Sequence, residues 1–131
     1  MQRGYAGISG SPVRPYVQFS TNVGSTVYLD LTFLDRKKQL ATPTALTYRI
    51  DDITTDNVVL ADTIVAPTGP LMTLVIPASI NYIQNDLGQS SQLNQVTVTA
   101  GYSDGSFVQT VHIYELIAIQ TIGGATSPDL A

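Results

Sequence analysis

His112 is the only histidine in the chain, and imidazole is the side chain best suited to proton transfer near neutral pH. Acyl transfer would need a Ser or Cys nucleophile and a carboxylate gathered around it, and Glu115 and Asp104 are the nearest carboxylates in sequence. The strand pattern around His112 turns it away from the core, beside Thr97, where a surface histidine is the simpler reading. Zinc is disfavoured, because the chain has no cysteine and His112 would share the metal with carboxylates alone. Glycoside hydrolysis needs paired carboxyl groups, yet Glu115 is the single glutamate and the aspartates fall mainly in turns. Asp51, Asp52 and Asp56, with Asn57, form the densest acidic stretch. Some β-sandwiches hold calcium between such loops, but the EF-hand glycine and terminal glutamate are missing. A solvated strand connection explains these residues equally well. Gly4, Gly7 and Gly10 have no strand leading in and no helix leading out, so they do not make a phosphate loop. No catalytic, cofactor-binding or metal-ligating residue is assigned.

Binding chemistry is only slightly better marked. A net charge of −4 argues against nucleic acid, whose phosphates call for clustered Lys and Arg. Arg36-Lys37-Lys38 is the one basic cluster, and beside Asp35 it reads as a solvated turn. No window approaches the ~18 apolar residues of a membrane span. Met1 to Ser11 lacks the apolar stretch of ~7–15 residues of a secretory leader, so none is expected there. Seven tyrosines and no tryptophan raise sugar stacking. Tyr48 and Tyr102 belong to core faces, leaving Tyr5, Tyr28, Tyr82 and Tyr114 as surface aromatics on separate elements. Tyr28 and Tyr114 would serve equally as interface anchors.

These residues are positioned by strands. Gln95 to Leu116 reads as a β-hairpin, with Val96, Val98, Ala100 and Tyr102 alternating against polar neighbours. Asp104-Gly105 is a preferred two-residue turn. That turn predicts Tyr102 opposite Phe107, Ala100 opposite Gln109, Val98 opposite Val111 and Val96 opposite Ile113. Upstream, Tyr16 to Ser20 is a short strand, and Thr26 to Leu34 is a second, central one with Val27, Leu29, Leu31 and Phe33 on one face. Ala45 to Asp51 turns Leu46, Tyr48 and Ile50 inward. Val58 to Val65 holds one or two strands, and Leu71 to Ile76 another. Helical spacing of Ile80, Ile83 and Leu87 predicts a turn over Ser79 to Leu87 capped by Ser79, followed by a polar loop, GQSSQLN. Glu115 falls out of phase, predicting a bulge there. The core comprises the eight inward residues named in the second strand, in Ala45–Asp51 and at Val96, together with Leu74, Ile76, Val98, Val111 and Ile113.

About seven short strands with turns every ~8–12 residues are the mark of an all-β fold. The expectation is a single antiparallel β-sandwich, immunoglobulin-like or alternatively a jelly roll, over residues 16–122. An extended N-terminal arm occupies 1–15 and a short C-terminal tail 123–131. Glycines and prolines in the arm oppose self-packing. Arg3, Tyr5, Ile8, Val13, Arg14 and Tyr16 give it groups that dock on a neighbouring chain.

The order of features, VYLDLTFLDRKKQLATPTALTYRIDD, then LMTLVIP, ASINYIQN and VTVTAGYSDGSF, resembles the small immunoglobulin-like or fibronectin-like sandwich proteins of tailed bacteriophage particles. ALTYRIDDITTDNVV is similar to their third and fourth strands, and QVTVTAGYSDGS to the final hairpin of bacterial Ig-like domains. The resemblance covers Tyr16 to Gln120. It implies a non-enzymatic virion protein: a capsid decoration (cement) subunit, or a neck or tail component. It further implies the major capsid protein or neighbouring copies as partners, homo-oligomers in the particle, no nucleic acid or membrane partner, and no cofactor. The implied location is the virion, after assembly in the host cytoplasm. A carbohydrate- or cell-surface-binding sandwich module is the alternative, and a small enzyme on a β scaffold the third.

Overall fold

A computed structural model describes residues 16–83 and 90–118, which form seven strands and one short 3-10 turn. The strands are β1 (Phe19–Asn22), β2 (Val27–Thr32), β3 (Ala45–Asp52), β4 (Asn57–Ile64), β5 (Leu71–Ile76), β6 (Ser91–Gly101) and β7 (Phe107–Ile117). They sort into a five-stranded sheet, β1-β7-β6-β3-β4, and a two-stranded sheet, β2-β5. The result is an all-β protein of two sheets, not closed into a barrel. The sheets are not purely antiparallel as expected, because β1 runs parallel to β7. β1 and β2 lie in different sheets, so no hairpin forces β1 to oppose its ladder partner. β2 is likewise not central: among the described residues it pairs with β5 alone.

The β6–β7 hairpin departs from expectation by one residue. The Tyr102 amide donates to the Ser106 carbonyl at 2.9 Å, and the Gly105 amide to the Tyr102 carbonyl at 2.9 Å. The loop is therefore Ser103-Asp104-Gly105, with Gly105 alone at positive φ (88°). This is a type I turn closed by a left-handed glycine, the usual three-residue hairpin. The Asp104 carboxylate secures it by accepting from the Ser106 amide (2.9 Å) and hydroxyl (2.6 Å). Ala100 now faces Val108, Val98 faces Thr110, Val96 faces His112 and Asn94 faces Tyr114.

A one-residue slip exchanges the two faces of a strand. Tyr114 and Leu116 are buried, whereas Val111 is 54% exposed and Ile113 only half-buried. The expected pairing of Val98 with Val111, and the burial of Val111 and Ile113, are thus overturned. Glu115 needs no bulge, because the ladder runs unbroken from Ser91–Ile117 to Gly101–Phe107 and sets Glu115 opposite Leu93. Ser91 to Asn94, expected in a loop, opens β6 instead. The remaining core expectations hold: Val27, Leu29, Leu31, Phe33, Leu46, Tyr48, Ile50, Leu74, Ile76, Val96 and Val98 are buried in one cluster. The expected helical turn is reduced to Ala78–Ile80 without a side-chain cap. Residues 84–89, which carry the rest of it, lie outside the described residues.

One end of the core is polar. Gln92 Nε2 donates to Asn94 Oδ1 (2.7 Å), Asn94 Nδ2 to the Tyr114 hydroxyl (3.3 Å), and that hydroxyl to Asn81 Oδ1 (2.6 Å). Asn81 Nδ2 then reaches the Ser25 carbonyl at 2.8 Å, and the Asn81 carbonyl accepts from Gly24 at 2.7 Å. All three amide side chains belong to fully buried residues, where an unmet polar group is costly. The Phe19 ring stacks on Tyr114 with centroids 5.5 Å apart. Burial pushes the Tyr114 phenol up to about 12.

Tyr114→Phe keeps the ring but strands Asn81 Oδ1 and Asn94 Nδ2, so chemical denaturation should show a loss of about 1–3 kcal/mol. A variant as stable as the wild type would mean that the polar chain carries no net weight. Gly105→Val tests the turn. No atom lies within 4 Å of the added Cβ, so its cost, about 1–3 kcal/mol, reports backbone strain alone. An unchanged melting temperature would contradict the left-handed assignment.

Candidate functional site

The corrected register brings His112 inside, opposite Val96 rather than beside Thr97. Its Nε2 lies 3.1 Å from the Thr110 hydroxyl and its Nδ1 3.0 Å from Gln18 Oε1. A neutral imidazole that donates from Nδ1 to Gln18 and accepts at Nε2 from Thr110 satisfies both contacts. The hydroxyl, imidazole and amide therefore form a line. Among the described residues no carboxylate is hydrogen-bonded to the imidazole. Glu115 lies on the other face, accepting from the Ser20 hydroxyl at 3.1 Å. Asp104 is held in its turn, 3.5 Å from Arg36, and its hydrogen bonds with Ser106 lower its pKa. What the line does is pin the entry of β1 to the inner face of β7. Desolvation lowers the His112 pKa.

His112 lies in a groove that only the assembled sheets create. The Phe33 amide donates to the Pro70 carbonyl at 2.7 Å, in step with the β2–β5 register. Hydrogen-bonded pairs alternate along an antiparallel ladder, so the odd residues of β2 bond to β5. The amides and carbonyls of Tyr28, Asp30 and Thr32 then point to the other edge, where no strand is paired among the described residues. Facing that edge, β1 covers β7 only from Tyr114 to Ile117. Between the edge and β7 lies a cavity of about 80 Å³ lined by Asp30–Leu34 on one side and Val108, Thr110 and His112 on the other. The Tyr102 hydroxyl closes its floor with a 3.0 Å bond to the Leu34 carbonyl.

The other candidates disperse. Strand alternation sends Asp51 outward to Arg49 (2.8 and 3.0 Å) and Asp52 inward, where it accepts from the Thr54 and Thr55 amides and the Thr55 hydroxyl. Among the described residues no three His, Asp or Glu side chains are grouped to hold a metal ion. The basic cluster is a capped turn: Asp35 Oδ1 accepts from the Lys37 and Gln39 amides, and Lys38 adopts φ 65°. Tyr114 is buried and leaves the set of surface aromatics, whereas Tyr28 and Tyr82 are exposed. The Tyr82 hydroxyl lies over Gly24, 3.1 Å from where a Cβ would stand. Of the docking residues expected in the arm, Tyr16 is exposed. Arg3, Tyr5, Ile8, Val13 and Arg14 lie outside the described residues. Sequence reasoning missed the groove, which has no local signature, and also the buried amides of Gln92 and Asn94.

No family model, no curated protein and no solved structure matches the chain. The class that the fold defines is an all-β protein of two unequal sheets, neither closed on itself among the described residues.

The lowered His112 pKa has a definite sign. Above about pH 6.5 the imidazole is neutral in both states and costs nothing. As the pH falls through that value the unfolded chain takes up the proton first, and stability declines until the folded pKa is reached. Between pH 7.5 and 5 the wild type should lose more melting temperature than His112→Gln. Equal losses would show that the imidazole stays as solvated in the fold as in the open chain.

Proposed function

We propose that the chain is a non-enzymatic structural subunit of a tailed-bacteriophage particle, acting as a capsid decoration (cement) protein that binds and stabilises the shell. Its partners on this reading are the major capsid protein and neighbouring copies, and its location is the virion. The strand order supports an immunoglobulin-like sandwich. β3, β6 and β7 lie side by side in one sheet and β2 beside β5 in the other, as the third, sixth and seventh strands do against the second and fifth in that fold. A jelly roll would take eight strands in two Greek keys.

One observation carries the assembly reading, the outer face of the five-stranded sheet. Ile64, Thr47, Thr99 and Gln109 form one row across β4, β3, β6 and β7, flanked by Ala45–Gly101–Phe107 and by Arg49–Thr97–Val111. Ile64 is 85% exposed and Phe107 71%, and the Phe107 ring covers Gly101. Arg49 is the sole charge in those three rows, and it is engaged by Asp51 and Asp62. A firm, nearly uncharged surface with protruding apolar side chains suits burial against protein.

Virions banded from the replicon that encodes the chain should contain it at a fixed ratio to a shell or tail component. Ile64→Asp combined with Val111→Asp should leave the protein folded and soluble but remove it from the particles. A chain found only in the soluble fraction, or a double variant incorporated at full occupancy, would defeat the reading.

A further inference from the structure

We infer that the open edge of β2 is a strand-acceptor site, and that its occupant is the N-terminal segment around Val13 to Tyr16 of a second copy of this chain. The inference deepens the assembly reading by naming the contact between copies. It stands on the pairing of edge, groove and segment rather than on exposure alone.

The edge offers backbone groups of Tyr28, Asp30 and Thr32, with their side chains turned outward and those of Leu29 and Leu31 turned in. An added antiparallel strand keeps paired side chains on one face. With Arg14 set opposite Asp30, Tyr16 falls opposite Tyr28, also outward. Val13 and Pro15 then fall inward, over the cavity beside Thr110 and Val108. Pro15, which has no amide proton, has its nitrogen on the side away from β2, where none is required. Arg14 meets a carboxylate that, among the described residues, accepts from Thr73 at 2.8 Å. Over Val13 to Tyr16 the segment matches the edge in hydrogen bonding, apolar parity and charge; Pro12 falls opposite Thr32, where its carbonyl can accept from the Thr32 amide but it offers no amide in return.

The origin of the segment favours a second copy over the chain's own groove. The Gln18 amide is tied to the Ile113 carbonyl, which fixes the chain along the five-stranded sheet. The β2 edge belongs to the other sheet, and facing sheets stand roughly 10 Å apart. Tyr16 is two residues from Gln18, a reach of at most about 7 Å, so in this register it cannot span that gap to Tyr28 of its own copy. Tyr16, 78% exposed, already leaves its own sheet.

The chain has no cysteine, so the test is clean. Opposed hydrogen-bonded residues have Cα atoms ~5.5 Å apart, within disulfide reach. Full-length Arg14→Cys mixed with full-length Asp30→Cys, or with Thr32→Cys to allow a shift of register, should give a covalent heterodimer on mild oxidation. Thr32→Pro should abolish self-association, because it removes an edge amide while the β2–β5 ladder uses the odd residues. Two results would overturn the inference: no heterodimer with either acceptor variant, or an Arg14→Cys/Asp30→Cys double variant that closes on itself as a monomer. A heterodimer formed by a protein absent from virions would sink the phage reading and leave this contact standing.

Discussion

Side chains alternate along a strand, so the number of residues in the β6–β7 turn decides which half of β7 meets the core. Two turn residues would place Phe107, Val111 and Ile113 inside. Three residues, ending on Gly105 in the left-handed region, place Tyr114 and Leu116 there instead. Everything distinctive about the interior follows from that count. Tyr114 can reach Asn81 and Asn94 only from the inner face. His112 can bond Gln18 only because it stands on the same side. The stacking of Phe19 on Tyr114 then gives β1, a four-residue strand, an apolar reason to lie along β7.

The polar end of the core deals with a problem of connection. The turn after β1 and the segment after β5 both cross between the sheets, and crossings leave backbone groups without ladder partners. Asn81 satisfies both at once, through the Ser25 carbonyl and the Gly24 amide. It is held in turn by the phenol of Tyr114. The two sheets are therefore joined at this end by directed bonds, at the other by the bond of the Tyr102 hydroxyl to the Leu34 carbonyl, and between them by the non-directional packing of β2 and β5 against β3 and β6. Directed bonds tolerate little displacement, which suits a place where four chain segments meet.

Legibility followed the contrast between faces. In β2 the inward set is Val27, Leu29 and Leu31 and the outward set includes Asp30 and Thr32, so one reading prevails. β3 behaves likewise, with Leu46, Tyr48 and Ile50 inward. In β7 the contrast is absent: Phe107, Val111 and Ile113 compete with Val108, Tyr114 and Leu116, and periodicity alone cannot choose. Asp-Gly then tipped the choice wrongly, because the same dipeptide serves a two-residue turn and the end of a three-residue one. Gln92 and Asn94 were illegible for another reason. Polar residues inside a strand look like a loop until their partners, distant in sequence, are in place. The groove beside His112 was beyond reach entirely, since it comes from the unequal size of the two sheets.

That inequality shapes how the protein meets others. Among the described residues five strands face two, so part of the inner surface of β7 has no described strand above it, and the amides and carbonyls of the outer β2 edge meet no described strand. Exposed edges are usually blunted by charge, proline or a bulge, because they template pairing with other chains. Here β2 is regular, and of its three outward side chains Asp30 alone is charged. A single carboxylate repels an acidic strand but attracts one that carries arginine. Arg14 and Arg3 are two of only six basic residues in the chain, and both lie in the first fifteen positions. The edge is therefore selective rather than silent: it is least hostile to a segment that, like residues 1–15, carries arginine and proline and no acidic residue.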